Sequence, residues 1–507
     1  MWLCRLCRKP QIIKNKYVST LIGTILIYLS VAFILPVGNF SVYITSYIHL
    51  YQDFVTMHFG TYFSPILTLI MTFARSIGGV LEGKIGFMPT TFLGLGILLI
   101  TNLFFFQVRN IWACYFEIVL MGLGAGIAIS LLPKNLTLYR PKKKGGISGI
   151  IGVVTIVSSA LFAFGGEKII NLHGDPVDEN QVYPKEIAES TKNYYILGFF
   201  TVPIGGLLGF LFLYEYKKED DPTQYISEKF EIKTELQVMD GNLKDKEEEK
   251  DNDEGDKLEQ KPEEEEEAQI ETPDNTFEKE LEKIKQKRHI KQVFKTFRFY
   301  RISFSILLLN FPVMFMVNTG RIFGAIIGIN GTILQLLAIF QMFGMIIIGP
   351  IVGKIIDKKN PLFLLRIVTL ICAIPGILLI LFLENDFFFT LSVMLYLFGL
   401  IGNTVGLNPL IMEIYGIQES VILGGFVSTF SKIGEILTTT VAFFVSFMYP
   451  GNSIRIPYKI IYILSSVFSY LSFYILMIEE IDKYQYDDSD VEINQTEMSR
   501  ESILSNL

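Results

Sequence analysis

The sequence predicts an all-helical membrane protein of about twelve transmembrane spans, set out as two pseudo-symmetric halves of six. Three observations carry this. Half of the residues are hydrophobic, with 42 Phe, while charged residues make up 19% and gather in a few places instead of alternating with the apolar ones. The apolar runs that result reach the ~20 residues that cross ~30 Å of hydrocarbon as helix. One long polar stretch divides these runs into two sets of equal number. Lipid admits only helices or closed barrels, and the period-two alternation of a barrel is absent.

The elements follow in order. Residues 1–17 form a tail read as cytosolic, too mixed for a cleavable signal, so the first span is expected to stay in the protein. Its Cys4 and Cys7 lack the second pair a zinc site needs; beside Arg5, Arg8 and Lys9 they suit either palmitoylation or an unmodified tail. The first half, residues 18–216, has apolar windows beginning near Val18, Thr61, Pro89, Ile111, Gly146 and Asn193. Residues 217–290 are rich in Glu, Lys and Asp, and are predicted to be a disordered cytosolic linker. Its acidic run around Glu247 to Glu267 holds most of the excess behind the net charge of −7, so that charge points to no nucleic-acid partner; any partner of the linker is unspecified. Basic residues between Phe277 and Arg301 suit a helix lying on an anionic leaflet or an ordinary basic flank. The second half, residues 291–478, has windows near Tyr300, Thr332, Pro361, Phe387, Val421 and Tyr458, and a cytosolic tail, residues 479–507, follows. Lys14, Lys16, Lys84, Arg140, Lys142 to Lys144, Lys354, Lys358 and Lys359 fall on one side if the spans alternate, which places the termini and linker in the cytosol, in the plasma membrane or an internal one.

Charges inside the spans are the functional candidates, because an ammonium or carboxylate in lipid costs several kcal/mol unless it finds a partner or water. Lys432 leads them. Glu435 follows three residues later on the same helical face, so Lys432 is either a substrate contact or a structural lysine paired with that glutamate. Arg75 in the second span either shares a cavity with Lys432, snorkels, or joins a latch around Glu82. Glu117 and Glu435 are candidates to carry a coupled proton, with structural pairing the alternative. Among neutral donors, Gln341 and Tyr43 join Lys432 as substrate-contact candidates, while Tyr47, Asn310, Asn318, Gln335 and Asn403 serve equally well as bonds between helices. Cys114 and Cys372 lie inside spans as small hydrophobes, and the four histidines are too scattered to bind metal. Gly122-Leu123-Gly124-Ala125-Gly126 lacks the βαβ setting of a dinucleotide site, and no nucleophilic triad is visible. Neither a cofactor nor an enzyme is expected.

The two halves echo each other. Gly79-Val80-Leu81-Glu82-Gly83-Lys84-Ile85-Gly86 follows the second span, and Gly349-Pro350-Ile351-Val352-Gly353-Lys354-Ile355-Ile356-Asp357-Lys358 the eighth. On these loops the chain resembles the major facilitator superfamily, whose corresponding loop typically follows Gly-x-x-x-Asp-Arg-x-Gly. The resemblance implies a gating role for Gly79, Glu82, Lys84, Gly353, Asp357 and Lys358, although Glu82 and Lys84 depart from the pattern in residue type or spacing. Tyr139-Arg140-Pro141-Lys142-Lys143-Lys144-Gly145-Gly146, the glycines of the fourth span, Gly38 to Tyr47, and Ile414-Tyr415-Gly416 with Ser431-Lys432-Ile433-Gly434 are similar to the oxalate–formate antiporter and monocarboxylate transporter branch. That resemblance implies a secondary transporter of small organic anions with Lys432 contacting the substrate; the coupled proton is expected from the carboxyls of Glu435 or Glu117. The eighth-span arginine of that branch is missing between Ala338 and Pro350, so a monocarboxylate fits better than a dicarboxylate. A carrier of a neutral solute and a non-transporting membrane sensor or scaffold are the alternatives.

Overall fold

The computed structural model describes residues 15–55, 57–105, 107–172, 183–217, 289–327, 329, 331–382, 385–448 and 455–478, with the side chains of 57–58, 318–323, 325–327, 331–342, 446–447 and 455 left out. Twelve long helices are present among them: α1 Lys16–Ala32, α2 Phe63–Ile85, α3 Phe87–Phe105, α4 Ile111–Ser130, α5 Lys144–Ile170, α6 Lys185–Phe212, α7 Phe297–Ile327, α8 Gly331–Lys358, α9 Pro361–Leu381, α10 Asp386–Tyr415, α11 Ser420–Met448 and α12 Arg455–Ile478. By length and composition, 11 membrane-crossing helices are found among the described residues. The all-helical arrangement of six and six that the apolar windows predict is therefore the fold. The linker, the acidic run and both tails lie outside the described residues, apart from their edges.

One boundary differs. The apolar window places the sixth span near Asn193, yet α6 begins at Lys185. Its first two turns carry Lys185, Glu186, Glu189 and Lys192 on one side, while Ile187, Ala188, Thr191 and Tyr194 are buried on the other. An amphipathic extension of this kind is stabilised by packing against protein and is invisible to a hydropathy window.

Local chemistry sets several helix starts. Asn15, Asn110, Asn360 and Asn385 each accept hydrogen bonds from backbone amides of the first turn of α1, α4, α9 and α10, which satisfies donors that a helix start otherwise leaves open. Gly86 and Gly416 end α2 and α10 with φ of 88° and 86°, a backbone region that favours glycine.

Each half has its own apolar core. Phe33, Phe40 and Tyr194 centre one, with Tyr194 donating from its hydroxyl to the Phe33 carbonyl at 2.8 Å. Tyr396, Tyr458, Tyr462 and Phe315 centre the other. The halves meet along two antiparallel seams, α2 against α11 and α5 against α8. In the first, Tyr62, Thr68, Phe73 and Ser76 face Phe443, Glu435, Phe426 and Ile422 in turn. In the second, Gly145, Gly149 and Gly152 face Gly353, Gly349 and Met345.

Candidate functional site

The sites of interest lie along these seams. At the end of the bundle where α6 runs into Leu213–Lys217 and α7 begins, here termed the linker end, the second seam closes tightly. A Cβ on Gly353 would lie 2.6 Å from the carbonyl oxygen of Gly145, so only glycine permits this approach. The Asp357 carboxylate then accepts from the Gly145 amide at 2.7 Å and the Gly146 amide at 2.9 Å. These are amides of the first turn of α5, whose own preceding residue, Lys143, supplies no side-chain cap. A carboxylate from one half thus caps a helix of the other, at the positive end of its dipole. Lys144 pairs with Glu413 of α10 beside it. Lys358 is exposed.

The corresponding loop after α2 is built differently. Glu82 does not use Lys84, which is exposed. Both of its oxygens accept instead from the ammonium of Lys134, at 3.0 and 2.8 Å, within the same half. Lys134 sits in a short helix, Leu132–Tyr139, that continues α4 after a break, and its side chain is only 7% exposed. The sequence reading missed it, because a lysine six residues before Arg140 reads as part of a basic flank; its apolar neighbours Leu131, Leu132 and Leu136 were the signal. Gly79 packs against Ile422 and Val421 of α11, and the Ser76 hydroxyl donates to the Ile422 carbonyl at 2.9 Å. Outside the spans, the carboxyl of Glu215 is pushed up from its ordinary value by burial and by neighbouring Glu82, against the lowering effect of Lys217 and Lys134.

Deeper in the first seam, Lys432 donates to Glu435 Oε2 at 2.8 Å, the i,i+3 pair anticipated from spacing. The same oxygen lies 3.5 Å from the Thr68 hydroxyl of α2, so the pair faces the opposite half. Glu435 is nearly buried and Lys432 is 21% exposed. Around them, Asn310 of α7 donates to the Ser431 carbonyl at 2.7 Å and accepts from Asn403 of α10 at 3.3 Å. Those two asparagines bond helices together.

The other candidates are dispersed. Tyr43 stacks on Tyr183 at 4.4 Å within the aromatic packing of the first half. Gln341 belongs to α8, but its side chain lies outside the described residues. Glu117 has a buried oxygen, Oε2, without a hydrogen bond among the described residues. Arg75 lines a small cavity at the linker end of the first seam, together with Lys134, Asn408 and Ser420.

The architecture is thus two bundles of six helices meeting along paired seams. Residues 190–439 match the family model of the Major Facilitator Superfamily, and the fold is the major facilitator fold. The human organic anion transporter MFSD10 is 14% identical, with a TM-score of 0.57 over 91% of this chain and 98% of its own. The Escherichia coli fucose:proton symporter FucP is 10% identical with a TM-score of 0.55, covering 91% of this chain and 99% of that one. The nucleoside transporter NupG is 14% identical with a TM-score of 0.51 over the same shares of 91% and 99%. No curated protein matches the sequence. The family match and the fold are those of a transporter and not of an enzyme.

Proposed function

We propose that the protein is a secondary active transporter of small organic anions, of the monocarboxylate or oxalate–formate type, working by rocking its halves about the seams. One observation carries this reading: a lysine and a glutamate, Lys432 and Glu435, sit in the first seam with the glutamate against Thr68 of the opposite half. Intramembrane charges are retained mainly where they act, and repeated halves place a substrate site at their interface. An incoming carboxylate needs the Lys432 ammonium, which Glu435 already holds. A proton on Glu435 releases that ammonium, so one helical turn couples proton uptake to anion uptake. Glu117, whose buried oxygen has no hydrogen bond among the described residues, is a second proton carrier. The basic loops of the linker end face the cytosol in this reading, and they put the termini and linker there.

MFSD10 is described as an organic anion transporter, FucP and NupG as carriers of fucose and nucleoside, so the fold supports all three substrate classes and the seam charge favours the anion. A second reading rests on the closure of the pair at 2.8 Å, which leaves that pair without net charge and suits a neutral solute beside it. The decisive measurement is uptake and binding of short carboxylates and matched neutral solutes by purified, reconstituted protein with and without Lys432→Ala. Carboxylate affinity should fall at least tenfold in the variant. Unchanged carboxylate uptake would sink the anion reading, and neutral-solute binding that survives the substitution would establish the second.

A further inference from the structure

The cavity at the linker end of the first seam holds the cation that the seam leaves over. It is lined by both halves: Arg75, Ser130 and Lys134 on one side, Asn408, Ser420 and Gly425 on the other. Lys134 is neutralised by Glu82. Arg75 has no ion pair among the described residues, and its guanidinium Nε is buried there without a hydrogen bond. An unsatisfied charged donor in low dielectric is costly, and native structures rarely keep one without a ligand or ion to meet it. The local charge of Arg75, Lys134 and Glu82 together is one positive unit, and α11 begins at Ser420 with the positive end of its dipole beside the cavity. The volume is about 30 Å³. A single water needs roughly 10–15 Å³ on this measure, so there is room for about two waters or one carboxylate group.

We infer that this cavity is an anion station for a small monocarboxylate, the size of formate or acetate, with Arg75 as the anchor. The inference rests on the organic-anion reading for its ligand class but on different residues. Seven residues separate Gly425 from Lys432 on α11, so the station lies about 10 Å toward the linker end from the Lys432–Glu435 pair. A guanidinium and the Asn408 amide lining one cavity suit the two oxygens of a carboxylate better than a spherical ion. Because both halves line it, parting them at the linker end opens the station to that side. A carboxylate leaving Lys432 then meets a second cation before it reaches water, and a carboxylate entering from that side meets Arg75 first.

The test is titration calorimetry of full-length protein in lipid nanodiscs with sodium formate and sodium acetate, against sodium chloride, for wild type, Arg75→Gln, Arg75→Lys, Lys432→Ala and the double variant Arg75→Gln/Lys432→Ala. Arg75→Gln should weaken one class of formate sites at least tenfold, Arg75→Lys should restore most of it, and Lys432→Ala should keep that class intact until Arg75 is also replaced. Arg75→Lys, with an unchanged melting temperature, separates loss of the anchor from loss of the fold. Formate binding lost in Lys432→Ala but intact in Arg75→Gln would overturn this inference and leave the primary site standing. The reverse pattern would leave this station standing alone. Equal competition by chloride would overturn the carboxylate assignment, and absence of carboxylate binding to wild type would overturn both.

Discussion

The two loops that follow α2 and α8 occupy equivalent places in the halves, yet they close the linker end by different means. After α8, backbone meets backbone: Gly353 lies on Gly145, and Asp357 reaches across to cap α5 of the other half. After α2, Gly79 meets the side-chain ends of Ile422 and Val421, and Glu82 turns back to Lys134 of its own half. Equivalent loops carry an acid each, but one acid links the halves and the other braces one half internally. The holding strength of the linker end is thus concentrated on the α5–α8 seam, while the α2–α11 seam keeps the cavity with Arg75.

That asymmetry can be broken at three levels. The largest effect is expected at the glycines. Gly353→Ala drives a methyl into the Gly145 carbonyl, which cannot fold aside, and overpacking of about 1–3 kcal/mol should part the linker end by roughly ten- to a hundredfold. Gly79→Ala presses on flexible branches of Ile422 and Val421 and should shift it less than about threefold. Distances between spin labels at Lys142 and Lys359 read both, and equal shifts would dissolve the contrast. Next comes the acid pair. Asp357→Asn leaves one acceptor for two amides, and the same labels should report an opening of about tenfold, ~1.4 kcal/mol. Glu82→Gln should leave that distance unchanged, because its partner lies within one half. The smallest effect sharpens the reading of the brace. Burial and Glu82 raise the Glu215 carboxyl above its unfolded value of 4.5, so the folded state favours its protonated form. This contribution is fully present below the unfolded value and is lost as pH rises through it toward the folded one. Glu215→Gln should therefore stabilise the protein slightly at neutral pH, by less than about 0.5 kcal/mol because Glu215 is also largely open to solvent, read as a small rise in melting temperature that vanishes at pH 4.5 and below. A gain that grows with acidity would reverse the sign.

Much of the fold was legible because lipid imposes a length on every span, so apolar windows counted the helices. The i,i+3 spacing of Lys432 and Glu435 was legible for a similar reason, since helix geometry alone puts them on one face. What sequence could not supply was which half a side chain faces. Asp357 stands out in its loop by resemblance, but its use of the Gly145 and Gly146 amides depends on how α8 docks against α5. Lys134 hid in a basic flank, and its partnership with Glu82, 52 positions away, needs the α2–α4 packing to exist first. Tyr43 is a neutral donor in the sequence; its stacking on Tyr183, 140 positions away, depends on how the residues before α6 pack against the first half. Local periodicity decides what an element is, and docking decides what it touches.

The cap that Asp357 places on α5 has a consequence for time as well as for structure. The amides of Gly145 and Gly146 belong to the first turn of their helix, where no carbonyl within the helix can take them, so their partner exists only while the halves are joined. Their protection from solvent exchange therefore reports the contact between the halves and not the stability of the helix. Two backbone hydrogens are thus a direct gauge of how firmly the α5–α8 seam is joined at that end.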